Sequence, residues 1–171
     1  MNFHINITRS GNLLSGKAPQ IVQSHLDQAI TEATLFLDAK VKANTPQGVY
    51  GGLLGSIQHD IPGKGTPLVK GMIMTAHKYA EVIEKGRKPG KGIASADPGG
   101  KYVSPLLPWI RVKLGLSGKD AESAAYLIGR KIKLKGFKGA HMFEKALTDN
   151  WPQVEKIFDC HGLSIAKELS E

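Results

Sequence analysis

The strongest constraint on folding is an unbroken apolar series near the N-terminus. Val22, Leu26, Ala29, Ile30, Ala33, Leu37 and Val41 recur at spacings of three and four, the repeat of one face of an α-helix. Pro19 suits a first helical turn, where a missing N–H costs nothing. Asn44-Thr45-Pro46 stops the series, because the residue before a proline avoids the helical region. The spacing predicts a helix over 19–43, about 37 Å long.

The remaining pattern is mixed. Phe3, Ile5 and Ile7 alternate with His4, Asn6 and Thr8, which predicts a short strand. Ser10–Lys17 is polar, so residues 1–17 read as an extended arm. Two apolar runs, Leu53–Ile61 and Pro67–Thr75, flank Pro62-Gly63-Lys64-Gly65-Thr66 and are expected to pair as an antiparallel hairpin. Tyr79–Glu84 fits either a strand or one helical turn. Residues 86–104 are rich in glycine and basic residues, and a loop that long is usually functional or disordered.

The last third reads helical. Pro105–Leu114 is closed by Gly115. Ser117-Gly-Lys-Asp120 resembles a capping box ahead of a helix over 119–133 that buries Ala121, Ala124, Ala125, Leu127, Ile128 and Ile132. Gly136 and Gly139 mark a turn. A further helix begins at Met142 and Phe143, and Trp151-Pro152 interrupts it, with Asp149-Asn150 as the expected cap. Residues 163–171 form a polar tail. The expected fold is α+β: a long N-terminal helix packed on a small antiparallel β-sheet, with C-terminal helices and a long Gly-rich loop. One domain spans 18–162, between the arm and the tail.

The chain of 171 residues carries 23 Lys+Arg against 15 Asp+Glu, a formal +8. The location of that charge says more than its total. From Lys85 to Lys138 there are 13 basic and 3 acidic residues, a net +10; the remainder has 10 and 12, a net −2. Two clusters dominate: Lys85, Arg87, Lys88 and Lys91, then Arg130, Lys131, Lys133, Lys135 and Lys138. Such a stretch is either a solvated face or a surface that meets phosphates. Aromatics are sparse there (Tyr102, Trp109, Tyr126, Phe137), which disfavours base stacking and sequence readout.

Catalytic patterns are missing from the sequence. A phosphate loop around Gly99-Gly100-Lys101 fails twice, at Ser95 and at Tyr102. The six histidines show no HExxH pair or metal-ligand spacing, and Cys160-His161 diverge on any regular helix. The single cysteine excludes an intramolecular disulfide and reads as a half-buried thiol. Glu81 and Glu84, beside Lys85 and Arg87, read as an ion-paired surface. No catalytic residue, metal site or cofactor is expected. The N-terminus does not resemble a signal peptide and no apolar run would span a bilayer, so synthesis in a reducing cytoplasm without a membrane partner is expected.

One ordered set of motifs stands out. Thr45-Pro46 closes the first helix; Gly52-Leu53 and Ser56-Ile57 follow; then Tyr79-Ala80 and Glu84-Lys85-Gly86; then Pro108-Trp109-Ile110 and Tyr126–Ile132; then Lys135-Gly136 before Met142-Phe143. Over roughly residues 20–150 this order resembles the tail-component, or tail-completion, family of long-tailed bacteriophages, which includes the Z-type minor tail proteins of lambda-like phages. The chain departs from that pattern at Gln47–Tyr50, at Arg87 and in the expanded 86–104 loop.

The resemblance implies a structural virion protein of the head–tail junction, made in the host bacterial cytoplasm. It implies a ring, of about six copies, that joins the tail to the capsid connector and lets DNA pass. Partners would be copies of the chain, other neck, connector, tail-terminator or tail-tube proteins, and genomic DNA held without sequence specificity. Head-to-tail contacts close such a ring, and strand addition can supply them; Phe3, Ile5, Ile7, Lys101 and Tyr102 are the candidate assembly contacts. The two basic clusters are the candidate DNA-facing or interface residues. The competing reading is a basic domain that binds nucleic acid without sequence specificity. A nuclease ranks third, for want of clustered metal ligands.

Overall fold

The computed structural model describes residues 11–13, 16–90 and 104–171. Phe3, Ile5, Ile7, Lys91, Lys101, Tyr102 and most of the expected 86–104 loop lie outside these. The elements are α1 (Ala18–Asn44), α2 (Gly52–Gly55), β1 (Ile57–Asp60), β2 (Met72–Thr75), α3 (Ala80–Lys85), β3 (Gly86–Arg87), α4 (Leu107–Leu114), α5 (Gly118–Lys135), β4 (Phe137–Lys138), α6 (Met142–Thr148) and α7 (Trp151–Ser170). This is the expected α+β fold. The strands form two separate two-stranded sheets, β1 with β2 and β3 with β4. Among the described residues no helix is long and apolar enough to cross a membrane.

Two compact units make up the chain: Met1–Lys40, His59–Met74 and Leu147–Glu171 form one; Val41–Gln58 and Thr75–Ala146 form the other. In the first, α1 packs on α7. Ala33 of α1 meets Val154 and Ile157 of α7, with Phe36 and Leu37 at the edge. Alanines at 29 and 33 are both buried and let the helices approach closely. Leu26, expected on the buried stripe, is 36% exposed. α1 also holds the hairpin turn. Asp27 accepts hydrogen bonds from Gln23 Nε2 at 3.0 Å and from the Gly65 N–H at 2.8 Å, and Gln23 Nε2 also donates to the Thr66 carbonyl at 2.8 Å. Farther along, buried Asp38 pairs with His59 Nδ1 of β1 at 3.4 Å, giving a carboxylate withdrawn from water a partner.

The second unit has two apolar clusters. Leu53, Ala80 and Met142 pack with Ile83 and Phe143. Ile110 of α4 packs with Ala121 and Ala125 of α5, flanked by Leu106, Leu107, Leu116, Ala124 and Ile128. Thr45 is buried; its Oγ1 donates to the Val41 carbonyl at 2.6 Å and approaches Met142 Sδ at 3.3 Å. The Thr-Pro stop therefore also ties the end of α1 to α6.

Several boundaries differ from the sequence reading. The first expected hairpin strand starts late, at Ile57, because residues 52–55 coil into a helical turn: the Gly55 and Ser56 N–H groups bond back to Gly51, Gly52 and Leu53. Tyr79–Glu84 resolves as the helix α3. Leu127 of α5 is 60% exposed, since Ala121, Ala125 and Ile128 define the buried stripe and Leu127 falls about 100° from its neighbour Ile128. Ser117 and Asn150 sit at N-cap positions, yet neither side chain makes a capping bond. Residues 163–170 continue α7 as regular helix, where Asn12 Nδ2 donates to the Glu168 carbonyl at 2.7 Å. Cys160 is exposed.

The β3–β4 ladder was unforeseen. Gly86 opposes Lys138 and Arg87 opposes Phe137, antiparallel. Gly86 (φ 77°, ψ −168°) and Gly136 (φ 67°, ψ −164°) occupy a backbone region open essentially to glycine alone. A Cβ on Gly136 would collide with the Arg87 carbonyl oxygen, and one on Gly86 with the Phe137 carbonyl oxygen.

Gly136→Ala should therefore destabilise the protein by about 2–4 kcal/mol in urea unfolding, through steric and dihedral strain together. Gly129→Ala lies inside α5 with open space around it and should stabilise by about 0.5–1 kcal/mol. Equal effects at the two positions would refute the glycine argument.

Candidate polyanion-binding surface

The two basic clusters are about fifty residues apart in sequence. The ladder brings parts of them together. Each of its strands reads Lys-Gly-x-Lys: Lys85-Gly86-Arg87-Lys88 in one and Lys135-Gly136-Phe137-Lys138 in the other. Antiparallel pairing sets each glycine against the basic end of the other strand. A shallow groove of about 510 Å³ runs along the ladder.

Lys85, Arg87, Lys88, Lys135 and Lys138 line this groove with Pro89 and Phe137, and among the described residues no carboxylate lines it. One end is closed by the Gly90 N–H, which donates to the Lys133 carbonyl at 2.8 Å. At the other, the ladder continues into α3 and α6. The Ala140 N–H donates to the Ile83 carbonyl at 2.7 Å, and the His141 N–H to the Glu84 carbonyl at 3.1 Å.

The two acids near the groove have distinct tasks. Glu84 turns its carboxylate to the start of α6, accepting from the Phe143 and Glu144 N–H groups at 3.2 Å each. That satisfies helix donors that have no partner within the helix and sets negative charge at the positive end of its dipole. Glu81 instead pairs with Lys85 at 2.9 Å. This hydrogen bond, and then the charge attraction, hold the Glu81 carboxyl below its ordinary pKa and the Lys85 ammonium above its own. Both groups are solvent-exposed, so the pair adds little stability. Its main effect is that Lys85 is already partly neutralised. The other cations that line the groove are Arg87, Lys88, Lys135 and Lys138.

Not every sequence candidate converges here. Arg130 and Lys133 are exposed on α5 but do not line the groove. Helical geometry puts Arg130 about 140° around the axis from Lys135, whereas Lys131 lies one turn before Lys135 on its side. The basic stretch is thus split between the groove and the outer face of α5. Sequence reading missed Phe137, which lies in the groove, and the role of Glu84. The repeated Lys-Gly-x-Lys motif was the available signal for the pairing.

Arg87→Glu with Lys135→Glu should abolish binding to duplex DNA in a filter or anisotropy assay while circular dichroism stays unchanged. If the four groove cations each meet one phosphate, log K should fall against log salt with a slope of about −3.6. A salt-independent affinity would exclude a phosphate surface. Comparison of the chain with protein-family models, with curated proteins and with solved structures finds no match.

Proposed function

We propose that the protein is a structural subunit of the head–tail junction of a long-tailed bacteriophage, assembling into a ring through which DNA passes. The observation that carries this reading is the groove: five basic side chains from two distant segments around one glycine ladder, with no carboxylate among the described lining residues. Such a surface attracts a polyphosphate without reading bases. The motif order from Thr45-Pro46 to Met142-Phe143 supplies the phage context. Arg130 and Lys133, on the other side of α5, are suited to acidic neighbours rather than to the same phosphates.

Exposed apolar residues support assembly. Leu127 and Leu134, seven positions apart and so on one side of α5, are 60% and 63% exposed. With Trp109, Val112 and Leu114 also exposed on α4, the α4–α5 hairpin leaves apolar area that a second copy would cover. A second reading, a monomeric basic domain that binds free nucleic acid, draws on the same groove, and the oligomeric state separates the two.

Mass photometry and negative-stain electron microscopy of the purified full chain should show a closed ring that grows with concentration. Leu127→Ser with Leu134→Ser should leave a folded monomer that still binds DNA. A wild-type protein that stays monomeric at all concentrations, yet binds DNA with the expected salt slope, would overturn the ring in favour of the second reading.

A further inference from the structure

Within the first unit, α1 and α7 bring two histidines face to face. His25 Nδ1 lies 3.2 Å from His161 Nδ1, with the rings 5.5 Å apart and inclined by 59°. The far side of each ring meets a carboxylate. His25 Nε2 is 3.0 Å from Glu168 Oε1, and His161 Nε2 is 3.4 Å from Glu32 Oε2. The imidazoles are 12% and 17% exposed, whereas both carboxylates reach well into water. The arrangement is anchored on the same apolar seam: His25 precedes Ala29 and Ala33 by one and two turns, and His161 follows Ile157 by one.

Counting protons shows what the gap between the rings needs. A carboxylate only accepts, and a neutral imidazole carries one proton on one of its nitrogens. Two neutral rings therefore hold two protons for three contacts. With each Nε2–H donated to its carboxylate, the two Nδ1 lone pairs confront each other. The gap then requires a cation. An extra proton can fill it by making one ring an imidazolium. A transition-metal ion ligated by both nitrogens fills it as well. Two nitrogens bound at about 2.05 Å to one tetrahedral ion stand about 3.3 Å apart, close to the separation seen here. Ligating histidines almost always donate their other N–H to a carboxylate, carbonyl or water, which fixes the tautomer and raises ligand basicity. Here each far ring nitrogen faces a glutamate carboxylate suited to accept such a bond.

We propose that His25 and His161 form a two-imidazole site for zinc or a similar borderline divalent metal, with Glu168 and Glu32 as the orienting carboxylates and water completing the shell. Among the described residues no group of three or more His, Cys, Asp and Glu side chains is arranged to hold a metal. The site is therefore an exchangeable one, unlike the four-ligand sites on which whole folds depend. Imidazole ligands favour zinc, nickel and copper over magnesium and calcium. A metal held here clips α1 to α7 across 136 residues of chain, so binding couples to stability. The inference is independent of the proposed DNA surface, which lies in the other unit.

The test uses the full chain stripped with chelator, titrated with zinc chloride in a calorimeter and melted with and without it. Wild type should bind one zinc and gain thermal stability, and magnesium chloride should do neither. His25→Gln and His161→Gln should each abolish both effects. Glu168→Gln, changed at an exposed position, should weaken zinc binding about 10–100-fold with helix content intact, and it gives the reading if a histidine variant fails to fold. Cys160→Ser and His77→Gln should bind as wild type. No zinc binding by the wild type would overturn the proposal. Binding that survives both histidine variants, or that is lost with Cys160→Ser, would overturn it too.

Discussion

The second unit depends on one backbone seam. Residues 83–87 and 137–141 exchange main-chain hydrogen bonds from Ile83–Ala140 through the Gly86–Lys138 and Arg87–Phe137 pairs. Gly86 and Gly136 let the two segments come together because no Cβ stands between backbone and backbone. The seam fixes α3 beside α6, and so sets the Glu84 carboxylate over the first turn of α6. His141, the one non-glycine residue with positive φ among those described (53°), turns the chain from the seam into α6. Two residues per strand would be marginal alone. The elements that flank them are held by the cluster of Leu53, Ala80 and Met142 with Ile83 and Phe143.

The same seam organises the electrostatics. Like charges within a short peptide repel, and an unfolded chain would spread them. Pairing Lys-Gly-x-Lys against Lys-Gly-x-Lys concentrates them instead, a cost that the exposed Glu81–Lys85 pair does little to offset. Concentrated positive charge is a common signature of a surface shaped for an anionic partner. Fold stability alone gives no reason for it. The first unit differs: several of its polar groups face polar partners of their own unit. Asp38 meets His59, Asp27 holds the hairpin turn, and His25 and His161 meet each other and two glutamates.

What could be read in advance follows from range. The long helix α1 was legible because helical periodicity is local, and the Thr45-Pro46 stop is a constraint between adjacent residues. The helices after residue 104 were legible for the same reason, although Leu127 was assigned to the core. Apolar character is local, but burial follows the stripe of Ala121, Ala125 and Ile128, which Leu127 does not share. The end of α7 was read as a polar tail because nothing local holds it; Asn12 and His25, far away in sequence, do. The candidate site was half legible: the sequence marked two basic clusters but not their meeting.

Composition, helix periodicity and the confinement of a net +10 to residues 85–138 were determined by the sequence alone, because each is a property of neighbouring residues or of a sum. Tertiary structure decided which charges share a groove, which glycines are indispensable and which histidines touch. Those outcomes hinge on pairs such as Arg87–Phe137 and His25–His161, separated by 50 and 136 positions. The Lys-Gly-x-Lys repeat marks both partners of the first pair, but no local pattern encodes the second. Closing a long loop costs entropy, and only the burial of the surrounding apolar side chains repays it.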